Sequence, residues 1–324
     1  MADRPVGVIG GFDCHIDFHV AVALDSLGKL LGTESFSATS DGYRKALRWM
    51  SAFGRIIAVG VESTGSYGSG LSRFLARNEL RVIEVNQPHP HTRARRGKND
   101  AIDAEAAARK VLSGEAAGAA KDSSGIVESI RQLAVARNGA TKARTAALCQ
   151  FRDLVVTAPA ALREKLAVRK TLESKATLCV RLRPDAGAPA DPMTAAKVAL
   201  RSVARRIQYL AEEIEEIGGQ LEELIAIAAP ITLRGLGLGT QNTATLLTAA
   251  GENIERLGSE ASFAHLCGAA PIPATSGRTK RHRLNHAGNR QANRALHMIA
   301  IVRLRYCART RAYLERRMEE GKTK

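Results

Sequence analysis

The sequence predicts a protein of the α/β plus α class, with a mixed α/β domain at the N-terminus and a mainly helical remainder. Over residues 6–85, short apolar runs separated by turn residues give way to runs that alternate with helix-like segments. Beyond residue 192, apolar residues recur at alternating spacings of three and four, which is typical of a long helix. The last third combines glycine-rich connections with a high density of Arg and Lys.

The N-terminal elements follow from apolar runs and turn signals. The patterns predict strands over residues 6–12, 18–24 and 29–36, a helix over 43–53 capped by Ser40 or Asp41, a strand over 56–61, a helix over 71–77 and a strand over 81–85. Three consecutive strands followed by alternating strands and helices indicate a partly parallel sheet with helices on both faces.

Four acidic residues lie where such a sheet assembles sites. Asp13 follows the first strand, Glu62 ends the fourth, and Asp100 and Asp103 share one face at the start of a helix over residues 101–112. Taken alone, the two helix acids could simply favour the helix N-terminus. Because the carboxyl ends of parallel strands meet at one sheet edge, all four acids can converge. Four such carboxylates need cations, so we expect two divalent ions about 3.5–4 Å apart, Mg²⁺ or Mn²⁺ rather than zinc.

The charge of the chain points to a nucleic-acid partner. Its 324 residues carry 48 Lys and Arg against 32 Asp and Glu, a formal net charge of +16. Such an excess favours polyanions, and because aromatics make up only 4% of the chain, phosphate contacts are expected rather than base stacking. Scattered cysteines indicate reduced thiols, and no apolar run reaches the length of a membrane span, so we expect a cytoplasmic protein without a membrane partner. The spacing of His15 and His19 in a strand-like run does not favour a zinc site.

A predicted coiled-coil arm occupies the middle of the chain, after a helix over residues 126–157 and a Pro- and Gly-rich loop over residues 184–192. Its apolar positions are Leu200, Val203, Ile207, Leu210, Ile214, Ile217, Leu221 and Leu224. A register sustained over more than three heptads favours a dimerising coiled coil, although the helix could instead fold back within the monomer. The expected domains are residues 1–157, 158–229 and 230–324.

Two features mark the C-terminal third. Gly235 and Gly237 lie in a connection between helices that is typical of the helix-hairpin-helix element, whose backbone amides approach a phosphate; an ordinary tight connection is the alternative. Ser276 lies in a Gly-flanked loop, and the following residues 278–317 contain twelve Lys or Arg and one acid. Ser276 is therefore either an idle loop residue or a nucleophile towards phosphate, with nearby cations stabilising the charge. His282 and His286 are candidates for its base by residue type alone.

The predicted nucleic-acid-binding residues come from three places, namely the basic loop before the helix acids, the glycine-rich connection and the basic C-terminal segment. They are Arg93, Arg95, Arg96, Lys98, Gly235, Gly237, Arg278, Lys280, Arg281, Arg283, Arg290 and Arg294. His89 and His91 lie in the same basic loop and could contact phosphate.

These residues resemble, in the right order and over nearly the whole chain, the IS110/IS1111-type (IS116/IS110/IS902) family of transposases. The resemblance is carried by residues 11–13 (Gly-Phe-Asp), 61–65 (Val-Glu-Ser-Thr-Gly), 98–104 (Lys-Asn-Asp-Ala-Ile-Asp-Ala), the glycine-rich connection, 268–271 (Gly-Ala-Ala-Pro), 276–277 (Ser-Gly), 288–290 (Gly-Asn-Arg) and 294–296 (Arg-Ala-Leu). One departure is Asn99, where the family often has Thr.

The resemblance implies a RuvC-type, RNase H-like N-terminal domain whose Asp-Glu-Asp-Asp tetrad is Asp13, Glu62, Asp100 and Asp103. It implies a C-terminal domain whose Ser276 attacks a DNA phosphate to form a phosphoserine link, while the acids hold Mg²⁺. The expected partners are double-stranded DNA of the element ends and target, a structured guide RNA encoded by the element, and further copies of the chain in a tetramer. The expected setting is the bacterial cytoplasm, at the nucleoid.

Three other functions are compatible with parts of the pattern. A structure-selective nuclease of the Holliday-junction resolvase kind would use the same acids with water as nucleophile, leaving Ser276 idle. A non-catalytic nucleic-acid-binding protein would use the acids only as caps and surface charge. An actin-like sugar kinase shares the opening Gly-Phe-Asp hairpin, but it would need a second α/β lobe with phosphate-binding loops, and the sequence predicts one such lobe.

Overall fold

A five-stranded mixed sheet organises the N-terminal part of the chain. The computed structural model describes residues 7–85, 99–116, 118–122 and 124–323. The strands of this sheet are β1 (Gly7–Cys14), β2 (Phe18–Asp25), β3 (Leu30–Ser37), β4 (Arg55–Glu62) and β5 (Val82–Val85). Their order is β3-β2-β1-β4-β5. Strand β2 is antiparallel to both β1 and β3, and β4 is parallel to both β1 and β5. The predicted partly parallel sheet is confirmed.

Helices cover both faces of this sheet. They are α1 (Ser40–Ser51), α2 (Ser69–Arg77) and α3 (Asp100–Leu112). Because successive side chains of a strand point to opposite faces, Phe12 of β1 joins the core beneath α1 and α2, whereas Ile9 packs with α3. The cap of α1 is Thr39 rather than Ser40 or Asp41, since its extended backbone lets Oγ1 accept a hydrogen bond from the backbone N–H of Gly42 at 3.2 Å.

The chain divides into two compact units. The first comprises Met1–Gly125 and Ala250–Ala264, and the second comprises Ile126–Ala249 and His265–Lys324. The returning segment is fastened to the first unit by Asn253, which accepts a hydrogen bond from the N–H of Asp122 at 2.8 Å and donates one to the carbonyl of Ala120 at 2.9 Å. The division into residues 1–157, 158–229 and 230–324 stays a prediction about separately folding parts.

Two long helices form the body of the second unit. Its first helices are α4 (Ile126–Thr157), α5 (Ala160–Ala167), α6 (Leu172–Cys179) and α7 (Pro192–Ala228). The apolar stripe predicted as a coiled-coil seam lies on α7, but its buried members pack inside the same chain. Leu200, Val203 and Ile207 share a core with α4 and α6, and Leu221 shares another with α4. The structure therefore shows the fold-back within the monomer, the alternative that the heptad pattern left open.

The C-terminal part of the second unit is mainly helical, as predicted, with one small sheet. The elements after α7 are a 3₁₀ turn (Thr232–Arg234), α8 (Thr240–Ala250), α9 (Glu260–Leu266), β6 (Ile272–Pro273), β7 (His282–Arg283), α10 (Arg290–Tyr306) and α11 (Ala308–Glu319). Most of α9 belongs to the segment assigned to the first unit. A second 3₁₀ turn, Ile254–Leu257, belongs to the segment that returns to the first unit. Within the described ranges, every helix is too short or too polar to cross a bilayer.

Candidate active site

The ends of β1 and β4 direct two acids to the same face of the sheet. Asp13 follows Ile9 by four residues on β1, and Glu62 follows Ala58 by four residues on β4, so each acid lies on the face that α3 covers. Both carboxylates are almost completely buried, with Asp13 9% and Glu62 3% exposed. The parity of the strands thus places both acids under the N-terminal turn of α3.

Two glycines let α3 approach the sheet closely. A Cβ atom on Gly11 would clash with the backbone oxygen of Ala104 in α3. One on Gly60 would lie 2.9 Å from the oxygen of Ala107. These positions precede Asp13 and Glu62 by two residues on the same face. Glycine at both is therefore what allows the helix to lie against the strands that carry the acids.

The first turn of α3 contributes the other two acids. Asn99 caps the helix, because its Oδ1 accepts a hydrogen bond from the N–H of Ala101 at 3.0 Å. Asn caps helices as well as Thr does, so this departure from the family pattern preserves the local structure. Asp103 is 5% exposed and lines the same pocket as Asp13 and Glu62, whereas Asp100 is partly exposed at its edge. We call these four acids, together with His15, the acid pocket.

His15 was not predicted as a site residue, yet it lies between two of the acids. Its Nε2 is 3.2 Å from Oδ2 of Asp13 and 3.4 Å from Oδ2 of Asp100. The three ligand atoms lie within 4.8 Å of one another. The sequence held a usable signal, because residues i and i+2 at a strand end share a face and His15 is two residues after Asp13. His19, by contrast, is buried and stacks on Tyr43.

The electrostatics of the acid pocket favour a bound cation. Burial raises the pKa of Asp13 above its ordinary value; His15 opposes that rise, while the carboxylates of Asp100 and Asp103 add to it. The thiol of Cys14, on the opposite face of β1, is held neutral because burial raises its pKa. Carboxylate oxygens with one imidazole nitrogen suit a divalent ion, and the pocket is an open cavity of about 460 Å³. The donor set therefore fits a divalent metal.

The backbone immediately after Glu62 is strained. Ser63 has a φ of 55°, the left-handed region that residues with a Cβ rarely adopt. Its carbonyl accepts hydrogen bonds from the N–H groups of Ser66 at 2.9 Å and Gly68 at 3.1 Å, which close a tight turn before α2. The turn ends β4 at Glu62, and strain of this kind is concentrated at functional sites.

The Gly-flanked loop predicted around Ser276 is the turn of a β-hairpin. Strands β6 and β7 pair antiparallel, and Ser276 and Thr279 exchange backbone hydrogen bonds of 3.1 and 3.0 Å across the tip. Gly277, with a φ of 54°, occupies the first central position of the two-residue turn, where type II′ hairpins require glycine. We call residues 272–283 the serine hairpin. Ser276 is exposed, and its backbone is held by the turn.

The base of the serine hairpin is tied to the start of α10. The backbones of Gly268 and Gly288 are so close that a Cβ on Gly288 would clash with Gly268. Asn293 donates from Nδ2 to the carbonyl of Cys267 at 3.0 Å, and the N–H of Asn289 donates to the carbonyl of Leu266 at 2.7 Å. These contacts fix the direction in which the hairpin leaves the second unit.

The predicted nucleic-acid-binding residues have different positions. Those on the serine hairpin and on α10 are exposed; they are Arg278, Lys280, Arg281, Arg283, Arg290 and Arg294. Four others, Arg93, Arg95, Arg96 and Lys98, lie outside the described residues, as do His89 and His91. Gly235 ends a 3₁₀ turn, and Gly237, with a φ of 85°, packs against Ile299 of α10. Packing within the second unit therefore accounts for glycine at position 237.

Models of known protein families match both the region of the acid pocket and the region of the serine hairpin. Residues 10–158, which contain all four acids, match a family model described as transposase, of the DEDD type of IS110. Residues 233–315, which contain the serine hairpin, match a model described as transposase of the IS116/IS110/IS902 family. Together the two matches cover more than two thirds of the chain. No curated protein matched it significantly.

Proposed function

The chain belongs to the IS116/IS110/IS902 family of transposases, and from that premise we propose that it recombines DNA at specific sites through a serine-linked intermediate. Membership makes it a DNA-binding transposase with a DEDD-type domain. The sheet order β3-β2-β1-β4-β5 supports assigning that domain to the RuvC-type, RNase H-like fold. The proposal concerns the chemistry, the metal and the partners.

One observation carries the proposal, which is that acids from three separate elements gather in one pocket. Asp13 comes from β1, Glu62 from β4 and Asp103 from α3, and all three are buried. Carboxylates buried together are costly without compensating cations. A divalent ion held by these acids, Mg²⁺ or Mn²⁺, would act as a Lewis acid on a phosphoryl oxygen. The packing of α3 on the sheet holds these acids in position.

Ser276 is the proposed nucleophile. Its Oγ would form a bond to a DNA phosphorus while the bond from that phosphorus to one sugar oxygen breaks. The released sugar oxygen takes up a proton and the serine hydroxyl gives one up, so the step is balanced and needs no further reactant. Arg278, Lys280 and Arg281 follow the serine within five residues and are exposed. Their position supports a role in stabilising the charge that develops on the phosphate.

The partners are proposed at the level of the family resemblance. They are duplex DNA of the element ends and target, a structured RNA from the element, and other copies of this chain in a tetramer. The exposed cations of the serine hairpin and α10 support phosphate contacts. Because much of the apolar stripe of α7 is buried within the chain, a dimer would have to use additional surface.

The test is a covalent trap. The protein would be incubated with a divalent ion, element-end DNA and RNA transcribed from the flank of the element, then denatured and examined for a DNA adduct. Mass spectrometry should place the adduct on Ser276. Ser276→Ala should abolish it, whereas Thr275→Ala, which removes the neighbouring exposed hydroxyl, should not. Cleavage without an adduct would mean that water, and not Ser276, is the nucleophile, as in a resolvase-like nuclease.

A further inference from the structure

His15 occupies a position in the acid pocket that the four acids alone do not explain. Its ring nitrogen Nε2 lies within 3.4 Å of carboxylates that come from two elements, Asp13 of β1 and Asp100 of α3. Nε2 carries at most one hydrogen, so it cannot donate to both carboxylates with good geometry. A cation near Nε2 could instead accept an electron pair from all three groups.

The orientation of His15 is constrained by its surroundings. Its backbone N–H donates to the carbonyl of Phe18 at 3.0 Å, which closes the turn between β1 and β2. Its ring lies against the Phe18 ring, with centroids 4.9 Å apart. The side chain is 31% exposed, so a metal ion can reach it from solvent. The turn and the Phe18 ring therefore restrict the orientation of the imidazole.

We propose that His15 is a protein ligand of the metal ion in the acid pocket, binding through Nε2, and that the site therefore prefers a first-row transition ion such as Mn²⁺ to Mg²⁺. Mg²⁺ favours oxygen ligands and retains much of its water. Imidazole nitrogen instead stabilises transition ions, so its presence shifts the selectivity of an otherwise all-oxygen site. This inference rests on the proposed function only for the acids as metal ligands, and it is independent of Ser276.

The experiment measures the ligand directly. Mn²⁺ would be added to the full-length protein without DNA, and pulsed EPR would be used to look for coupling of the electron spin to imidazole ¹⁴N. The coupling is expected in the unmodified protein and in His265→Gln, an exposed histidine on α9. It should be missing in His15→Gln. Circular dichroism and urea unfolding would establish that the variants are folded.

The affinities give a second, independent measure. His15→Gln should weaken Mn²⁺ binding by at least about 10-fold, the loss typical even of outer-shell partners of a metal site. Mg²⁺ binding should change less, so that the preference for Mn²⁺ over Mg²⁺ falls. Nitrogen coupling that persists in His15→Gln, an unchanged preference, or no Mn²⁺ binding by the unmodified protein would overturn the proposal.

Failure of the proposed function is distinguishable from failure of this inference. If the unmodified protein shows nitrogen coupling that depends on His15 but forms no adduct on Ser276, His15 is a ligand and the serine mechanism is wrong. If an adduct forms and the coupling does not depend on His15, the serine mechanism holds and the nitrogen ligand is wrong.

Discussion

In the acid pocket three of the four acids are buried and held by strands and a helix, whereas Ser276 is exposed at the turn between two short strands. Asp13, Glu62 and Asp103 are each at most 9% exposed. The helix α3 lies so close to Gly11 and Gly60 that a Cβ atom at either position would clash with its backbone. The serine hairpin contacts solvent along its length, and only its base is tied to α10. One site is positioned by packing and the other by a turn.

The two regions also differ in charge. The acid pocket would repel the DNA backbone unless cations intervene, while the serine hairpin and α10 carry exposed cations that attract it. Under the proposed function the two regions have different roles: the basic region would supply affinity and the nucleophile, and the acid pocket would hold a metal ion near the phosphate. Substitutions in the two regions should therefore fail in different ways.

The largest effect is expected from Asp103→Asn. The exchange preserves shape but removes one buried carboxylate, so adduct formation should fall at least about 100-fold, because a Lewis acid contributes several kcal/mol to such reactions. Ser276→Ala should lose the adduct as completely but keep metal binding. Calorimetric titration with Mn²⁺ would separate the two variants, and equal metal binding in both would remove the distinction between the regions.

A matched control lies on the same helix. Glu105 faces outwards on α3, where its Oε1 accepts a hydrogen bond from Nε of Arg109 at 2.7 Å. Glu105→Gln removes an acid from α3 without touching the pocket, so activity and metal binding should stay near those of the unmodified protein. Loss of metal binding in Glu105→Gln would mean that the general charge of α3, rather than the pocket, holds the ion.

The second prediction compares two glycines. Ala at position 11 would clash with the backbone of α3, so Gly11→Ala should lower the free energy of unfolding by about 3 kcal/mol, the upper range for overpacking. Displacing α3 should also reduce activity by about 100-fold, as expected for misplacement of catalytic groups by an ångström. Gly277 has open space around it, so Gly277→Ala should cost about 1 kcal/mol, from the left-handed backbone alone.

Urea unfolding and the covalent trap would measure both variants. A Gly11→Ala protein that is as stable and as active as the unmodified chain would show that α3 can shift without disturbing the acids. A Gly277→Ala protein that unfolds as easily as Gly11→Ala would show that the serine hairpin is packed more tightly than its exposure indicates.

The sequence predicted which acids form the pocket, but it did not identify His15 as a member. Strand ends and helix spacing were enough to bring Asp13, Glu62 and the α3 acids together, because strand parity and parallel pairing fix their face. His15 was not predicted, because the residue that it accompanies in the pocket is Asp13, two positions before it, and not His19. The apolar stripe of α7 was predicted to form a dimer seam, but its buried members pack within the chain, because a heptad pattern does not distinguish a neighbouring helix of the same chain from that of a second copy.

The serine hairpin was harder to predict for a physical reason. Its strands are two residues each and include Pro273, so no alternation of apolar and polar residues could develop. Only the turn residue Gly277 marked it, and glycine is equally common in irregular loops. Structure held by packing leaves a periodic signal in the sequence, whereas structure held by one turn and its base leaves little.

The smallest predicted effect is the pH dependence of stability that Asp13 contributes, which should depend on the acid pocket and not on the serine hairpin. Because the pKa of Asp13 is raised in the folded state, the folded protein binds more protons than the unfolded chain between the ordinary pKa of Asp and the raised value. The stability that Asp13 contributes is therefore fully present below the ordinary pKa and is lost as pH rises through the raised one. Metal-free protein should become less stable over that window, and Asp13→Asn should remove this part of the slope.

A divalent ion should restore stability above the window, because it binds only the folded site. Ser276→Ala should keep the full slope. Thermal unfolding across pH would show the same slope in all variants, Asp13→Asn included, if the buried Asp13 were not its cause.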